Sequence, residues 1–304
     1  MTQLSLLGAM KTRVLLGDGA MGTQLQNAGL EPGQCGEAWN LDHPGRVLRI
    51  QRNYAEAGSD VLLTCTFGAS RIMLDRHGEG ARTADINRAA VAIAREALGG
   101  RGYVLGDIGP FGGLMEPYGD VARADVERAF REQARALVEG GVDGIIIETQ
   151  TAFEELELAI AAAREAGAKV VVASIAFDKM ADEDDVRTMM GISPEQAAEF
   201  MVAHGCDVAG LNCGTGVDVR MAANIVRRYR AVCDLPVMAQ PNAGAPVLED
   251  MKVLYKQSPE EMGSELGALL AAGPRIVGGC CGSTPAHIRR FREILDVYNA
   301  GVRA

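Results

Sequence analysis

Residues 144–151 read GIIIETQT, three isoleucines in a row followed at once by polar side chains. A strand buried on both faces of a parallel sheet carries apolar residues at successive positions, whereas a half-buried strand alternates. Seven other short apolar runs also end in polar or glycine-rich residues: VLLGDGA (14–20), DVLLTCTF (60–67), YVLGDIGP (103–110), VVVASIAF (170–177), VAGLNCG (208–214), PVMAQPNA (236–243) and RIVGGCC (275–281). Helix-periodic stretches between them, such as VERAFREQARALVEG (126–140), indicate repeated strand–helix units.

Eight such units predict an α/β fold, a (β/α)8 TIM barrel, because parallel strands covered by helices close most simply in that way. We assign a single domain to residues 1–304, with the barrel core at about 13–298. Ser193, Ser258 and Thr284 each precede a proline, which predicts helix starts with a hydroxyl cap. An open doubly wound sheet is the alternative. It would require a glycine-rich phosphate turn after the first strand, and GDGAMGT (17–23) matches that motif only loosely.

Charge and hydropathy exclude several classes of partner. The net charge is −10 and no basic block interrupts the chain, so we expect no nucleic-acid binding. No apolar run approaches the roughly 20 residues that span a bilayer, and the first residues do not have the order of a secretory signal. We therefore expect a cytoplasmic protein without a membrane partner. Its seven cysteines, none in a CxxC pair, are then expected to be thiols.

Polar and thiol side chains gather at the ends of the predicted strands. They are Asp18, Thr66, Asp107, Glu148, Asn212, Cys213, Asn242, Cys280 and Cys281. The active site of a TIM barrel lies at the C-terminal ends of its strands. Charged groups in strands are costly unless they are paired or functional, so their gathering at one rim predicts a shared site.

Three of these thiols predict a zinc site. Glycines at 278, 279 and 282 allow the backbone around Cys280 and Cys281 to leave strand geometry, so that both sulfurs turn toward one point. Cys213 ends the sixth run, close enough in a barrel to join them. Three thiolates with a fourth position open to substrate is an arrangement used for catalytic zinc. Core packing is the interpretation for the other buried-type cysteines Cys65, Cys206 and Cys233, and a vicinal disulfide is disfavoured in a reducing compartment.

A zinc ion held by three thiolates is a poor activator of water but well suited to binding a fourth thiol and presenting it as a nucleophile. Asp18 and Glu148 suit an ammonium group on that thiol substrate, and backbone amides of the 17–22 turn suit its carboxylate. An amino-acid thiol such as homocysteine fits this set. No histidine stands at a strand end and no lysine lies within a strand run, which removes a Schiff-base mechanism.

With these residues in place, the chain resembles the zinc-dependent homocysteine S-methyltransferase family. The resemblance rests on GDGAMGT (17–23), AGSDVLLTCTFGAS (57–70), EGGVDGIIIET (139–149), GLNCGTG (210–216), PNAG (241–244) and GGCCGSTPAHI (278–288). It implies that homocysteine is methylated to methionine on a TIM barrel. It also implies that Cys213, Cys280 and Cys281 ligate zinc and that Asp18 and Glu148 bind the amino group. Further substrate-binding residues predicted at the same strand ends are Gly19, Ala20, Thr66, Phe67 and Asn212.

The methyl donor is left as glycine betaine or a methylated corrinoid carried by a separate protein. Betaine-using relatives surround the quaternary ammonium with aromatic rings, by cation–π attraction. Two of the family's aromatic positions are Gly68 and Thr149 in this chain. A different cage is expected from the aromatic residues near the rim: Trp39, Phe67, Phe111 and Tyr118. The glycine- and proline-rich segment 109–120 is long enough to form a lid.

Two alternative functions remain open from the sequence. The first is a phosphate- or nucleotide-binding TIM barrel, since the loops after strands 7 and 8 of such barrels often bind phosphate and both contain glycine here. The second is a non-catalytic thiol protein that binds metal, although such a protein would have no use for Asp18 and Glu148. The sequence also leaves the oligomeric state open, a homo-oligomer included.

Overall fold

The computed structural model describes residues 4–182, 185–249 and 252–302, and it contains the eight predicted barrel strands. They are β1 Leu15–Leu16, β2 Val61–Leu63, β3 Tyr103–Ile108, β4 Gly144–Gln150, β5 Val171–Ile175, β6 Val208–Asn212, β7 Val237–Gln240 and β8 Ile276–Val277. Every ladder is parallel, and the strands follow the order β1-β8-β7-β6-β5-β4-β3-β2. Asp60 N donates to Leu16 O at 2.7 Å, which connects β2 to β1 and nearly closes the ring. The predicted TIM barrel is therefore confirmed.

Helices surround the strands. They are α1 Leu6–Thr12, α2 Gly22–Asn27, α3 Trp39–Asp42, α4 Pro44–Ala57, α5 Arg71–Asp75, a 3-10 turn Gly80–Arg82, α6 Thr83–Leu98, α7 Arg123–Gly140, α8 Phe153–Glu165, α9 Pro194–Ala203, α10 Val219–Val232, α11 Pro259–Ala272 and α12 Pro285–Val302. The helix starts predicted at Ser193 and Ser258 are confirmed, and each serine also forms a full capping box, with Gln196 and Glu261 respectively. Within the described ranges, no helix combines the length and apolar character needed to cross a membrane.

Helix α1 closes the N-terminal end of the barrel, outside the core boundary that the sequence suggested. Its buried residues Leu6, Ala9 and Met10 pack in one cluster with inward-facing strand residues such as Leu105 and Ile146. Burial of this apolar face is favourable by about 25 cal/mol per Å². Helix α1 thus covers the N-terminal end of the barrel, opposite the end where the predicted site residues lie.

Two short antiparallel hairpins project from the C-terminal end of the barrel, and the sequence did not predict them. One pairs 178–179 with 186–187 after β5, and the other pairs 246–249 with 252–255 after β7. The second hairpin ends at Tyr255, which packs against the turn at Gly282 after β8. It therefore adds a side chain to the end of the barrel where the predicted site residues lie.

Candidate metal and substrate site

Three cysteine sulfurs meet above the C-terminal ends of β6 and β8. The Sγ atoms of Cys213, Cys280 and Cys281 all lie within 4.8 Å of one another, and those of Cys213 and Cys281 are 3.6 Å apart. Two backbone bonds fix the paired cysteines, because Cys280 N donates to Pro241 O at 2.8 Å and Ala243 N donates to Cys281 O at 2.9 Å. Tetrahedral zinc with Zn–S bonds of about 2.3 Å holds its sulfurs about 3.8 Å apart. The three thiols therefore match the donor set and spacing of such an ion.

The thiols share protons unequally. Hydrogen bonds with Cys213 and then Cys280 lower the pKa of Cys281 to about 3, whereas hydrogen bonds with Cys213 and then Cys281 raise the pKa of Cys280 well above its usual value. The hydroxyl group of Tyr255 also donates to Cys281 and helps to lower its pKa. A lowered pKa favours the thiolate, which is the form of cysteine that ligates metal. Sequence reasoning missed Tyr255, because it comes from the unpredicted hairpin.

Three carboxyl groups from neighbouring strand ends face the same region. Asp18 Oδ2 accepts from Leu63 N at 2.8 Å, and burial raises the pKa of Asp18 to about 7. Burial, and then the charge of Asp18, raises the pKa of Glu148 to about 8. The carboxyl group of Asp107 is hydrogen-bonded to Glu148, and burial raises its pKa well above the usual value. Because the shared cause is loss of water, a bound cation would restore the ionised forms.

The thiols and two of these carboxyl groups, those of Asp107 and Glu148, line one cavity of about 310 Å³, whereas the buried Asp18 is not among its lining residues. Among the described residues that line it are seven from the predicted site set: Ala20, Thr66, Phe67, Glu148, Cys213, Cys280 and Cys281. Glu37 and Asp107 add two more acids, and none of the lining residues that the structure describes is lysine or arginine. The cavity is therefore an acidic chamber beside a thiol cluster, which favours a cationic ligand that also carries sulfur.

Other predicted residues have partners within the protein. The Ala20 amide donates to Ser283 Oγ at 3.1 Å, and a Cβ at Gly19 would approach that hydroxyl to 2.7 Å. Thr66 Oγ1 donates to Asp107 O at 2.7 Å. The side-chain amide of Asn212 is bonded to its neighbours on β4 and β5 and is 1% exposed. Ala20 and Thr66 thus line the cavity with these polar groups bonded inside the protein, whereas Gly19 and Asn212 are not among its lining residues.

The structure does not assemble the expected cage of four aromatic rings. Trp39 and Phe111 are only 6% and 1% exposed because they pack in the main hydrophobic core, and Tyr118 lies exposed on the segment after β3. Phe67 alone of the four lines the cavity. Glu37 occupies the space beside Gly68, where its Oε1 accepts from the Gly68 amide at 2.8 Å. A side chain at position 68 would collide with that carboxylate, since an added Cβ would lie 2.9 Å from it.

All seven cysteines are free thiols, as expected. Cys206 is buried and Cys233 half-buried, both packed against the main core and away from the thiol cluster, whereas Cys65 is buried and also lines the cavity. His287, at the start of the helix that follows the paired cysteines, bonds Thr284 and the carbonyl oxygen of Gln257. It therefore stabilises the start of α12.

Residues 15–295 match the family model described as homocysteine S-methyltransferase. Among curated proteins, the methionine synthase of Mycobacterium tuberculosis (strain ATCC 25618 / H37Rv) is 35% identical over 299 residues, which is 93% of this chain and 25% of that protein. The methionine synthase of Mycobacterium leprae (strain TN) is 33% identical over 311 residues, or 97% and 25% of the two chains. The chain thus spans about a quarter of the length of these relatives.

Solved structures support the same fold. The metallated form of the homocysteine methyltransferase MmuM from Escherichia coli superimposes with a TM-score of 0.75 at 20% identity, over 93% of this chain and 97% of that one. The oxidized form of MmuM gives a TM-score of 0.74 at 21% identity, over 95% and 98% of the two chains. At this identity the likeness shows the barrel and its topology alone.

Proposed function

Because this chain belongs to the homocysteine S-methyltransferase family, we propose that it is a zinc-dependent enzyme that methylates homocysteine to methionine. The observation that carries the proposal is one cavity holding both a three-thiol cluster and a set of buried carboxyl groups. Homocysteine has a thiol at one end and an ammonium group at the other, so the two features bind its two ends. The methionine synthase relatives support the same reaction.

Zinc fits the residues present. Three sulfurs within 4.8 Å of one another supply a thiolate-rich donor set, which zinc prefers over the oxygen ligands that magnesium and calcium require. When bound, the ion would lower the pKa of a substrate thiol, so that the thiol is ionised and nucleophilic at neutral pH. Cys213, Cys280 and Cys281 would hold it, and Tyr255 would orient Cys281 from outside the ligand set.

The carboxyl groups bind and orient the substrate. Asp18 and Glu148 have raised pKa values of about 7 and 8, so an arriving ammonium group lowers both and ionises the pair. Asp107 is hydrogen-bonded to Glu148 and would help to hold that carboxyl group in place. Ala20, Met21 and Gly22 of the turn after Asp18 line the cavity, and this turn would face the substrate carboxylate. Fixing both ends of homocysteine aims its sulfur at the cavity mouth.

The donor would reach the substrate through the cavity at the C-terminal end of the barrel. We propose glycine betaine or a methylated corrinoid bound to a separate protein. Phe67 and Glu37 both line the cavity, and an aromatic ring together with a carboxylate favours a donor whose methyl group is carried on a positive charge. An acidic lining repels phosphate, so the phosphate-binding alternative has no support from the cavity.

The test is methionine formation by the zinc-loaded protein from homocysteine, with glycine betaine, S-methylmethionine and methylcobalamin assayed in parallel. We expect methionine with at least one donor, its loss on chelation and its return when zinc is restored. Turnover with betaine or S-methylmethionine would identify a self-contained enzyme, and turnover with methylcobalamin alone would indicate a corrinoid protein as partner. No methionine from any donor by protein with stoichiometric zinc would contradict the proposal.

A further inference from the structure

We propose that Asn212 is a positioning residue, which fixes the carboxylate of Glu148 relative to the thiol of Cys213. The inference rests on the proposed function, since it assigns the geometry by which one substrate reaches both groups. Asn212 ends β6 and directly precedes Cys213, whereas Glu148 lies near the end of β4. A single buried side chain therefore connects the two halves of the site.

The backbone at the site is strained at two places. Thr149 has φ 58° and Cys213 has φ 55°, and these are the two non-glycine residues with positive φ in the described part of the chain. Left-handed geometry is costly for side chains in general and more so for a β-branched one such as threonine. Such a conformation persists only where surrounding contacts hold it in place.

The strain at Thr149 lies within an irregularity of β4. Ile147 pairs with Ala173 and Gln150 with Ile175, so three steps along β4 match two along β5. This two-against-one count is a β-bulge formed at Glu148 and Thr149. A bulge leaves a residue out of the ladder and redirects the side chains around it. The bulge thus turns Glu148 toward the cavity that it lines.

Asn212 supplies the hydrogen bonds that the ladder does not. Its Oδ1 accepts from the Thr149 amide at 3.0 Å, and its Nδ2 donates to Thr149 Oγ1 at 2.8 Å. Ser174 Oγ on the intervening strand β5 donates to the same Oδ1 at 2.6 Å. These three bonds fix the orientation of the amide, which is almost completely buried. Loss of Asn212 would leave the Thr149 amide without this partner and let the bulge relax.

The thiol cluster has its own supports. Cys213 N donates to Gln240 O at 3.3 Å, and the turn of Cys280 and Cys281 is bonded to the backbone of 241–243. Removal of the Asn212 amide is therefore expected to spare metal binding and to misplace Glu148. The resulting defect should appear only with thiols that carry an ammonium group.

The experiment is calorimetric titration of zinc-loaded wild type and Asn212→Ala with homocysteine and with 4-mercaptobutyrate, which is homocysteine without its amino group. We expect N212A to bind homocysteine roughly 10- to 100-fold more weakly, and 4-mercaptobutyrate within about twofold of wild type, with zinc content unchanged. Asn299→Ala is the matched control, because Asn299 is a buried amide that bonds Val14 at the other end of the barrel. It should change neither affinity.

If N212A weakens the binding of both thiols equally, or of neither, the inference is overturned and the proposed function is unaffected. A wild-type protein that binds homocysteine no better than 4-mercaptobutyrate would overturn the proposed function and this inference together. Thr149→Val keeps the shape of the side chain and removes only the Thr149 hydroxyl that accepts from Asn212. This variant tests the inference if N212A does not fold. We expect the affinity of T149V for homocysteine to fall about 3- to 10-fold, with no change for 4-mercaptobutyrate. An unchanged affinity for homocysteine would overturn the inference.

A rescue experiment separates aiming of Glu148 from general damage. Glycine adopts positive φ without a steric penalty, so Thr149→Gly in the N212A background should keep the bulge in place. The double variant is expected to bind homocysteine more tightly than N212A. A double variant no better than N212A would contradict the role of the amide in holding the bulge.

Discussion

The sulfur atoms of Cys213 and Cys281 lie 3.6 Å apart although 68 residues separate them in the chain. They follow β6 and β8, and β7 lies between these strands in the sheet. Because the contact requires the strands to be in their final order, the metal site forms only with the barrel. Metal binding and barrel stability are therefore expected to be linked.

The first prediction concerns the cluster itself. Cys281→Ala should lose zinc and methyl transfer together while the far-ultraviolet circular dichroism of a folded barrel remains, because the strands do not depend on that thiol. Cys233→Ala is the control, since Cys233 is a half-buried thiol outside the cluster. Zinc content by atomic absorption, set against activity, checks both variants. Full zinc and full turnover in C281A would refute the ligand assignment.

A second prediction concerns the ammonium group. Asp18→Asn or Glu148→Gln should raise the KM for homocysteine by about 10- to 100-fold, because each removes one charge-assisted hydrogen bond worth about 1.5–3 kcal/mol. Zinc content should stay unchanged. Glu154→Gln makes the same chemical change on the exposed side of α8 and should leave the KM at the wild-type value. An unchanged KM in both site variants would show that these carboxyl groups do not bind the substrate.

Gly214 gives a third prediction, about the turn that carries Cys213. It has φ 85°, and an added Cβ would overlap the carbonyl oxygen of Phe177. Gly191 has φ 82° and open space around it. Gly191→Ala should therefore lower the free energy of unfolding only by the backbone penalty of about 1–2 kcal/mol. Gly214→Ala should lower it by roughly 3 kcal/mol or more and should also lose zinc. Urea unfolding of both variants measures the difference. Equal losses would mean that the turn is less tightly packed than described.

The fourth prediction is a pH dependence at Glu155. This half-buried residue accepts from Phe111 N at 2.7 Å, and burial raises its pKa to about 7. The protonated form is favoured in the folded state, so its contribution is fully present below the unfolded pKa near 4.5 and is lost as pH rises through about 7. Glu155→Gln keeps an acceptor and never ionises.

Relative to wild type, E155Q should therefore gain about 1–3 kcal/mol in the free energy of unfolding between pH 5 and pH 8. Chemical unfolding of the two proteins at both pH values checks this, with Glu154→Gln again as an exposed control. A constant difference between E155Q and wild type across this range would show that Glu155 is not held protonated.

The barrel could be predicted from the sequence because its signal is strong and local. Runs such as GIIIETQT are apolar at successive positions, and the hydroxyl–proline pairs at Ser193 and Ser258 start helices where they were expected. Helix α1 was missed because it is short and its three buried residues pack against the barrel floor, a tertiary contact with no local pattern. The two hairpins were missed because they are short and interrupt polar loops.

Site residues were predictable to the extent that their chemistry shows in the sequence. Thiols and acids at strand ends are distinctive, and the cluster of Cys213 with the paired cysteines agrees with expectation. How deeply a side chain is buried cannot be read from the sequence in the same way. Trp39 and Phe111 follow rim motifs yet point into the core, and Tyr255 reaches Cys281 from a hairpin that no pattern indicated. Asn212 was predicted to bind substrate, and its hydrogen bonds to the bulge in β4 became visible only in the structure.

The most direct test of the account is zinc K-edge X-ray absorption of the purified zinc-loaded protein with and without homocysteine. The account predicts three sulfur ligands and one lighter ligand before addition, and four sulfur ligands after it. Homoserine, which has oxygen in place of the sulfur, should leave the count at three. A zinc ion that keeps three sulfur ligands in saturating homocysteine would contradict the claim that this site binds its substrate through the thiol.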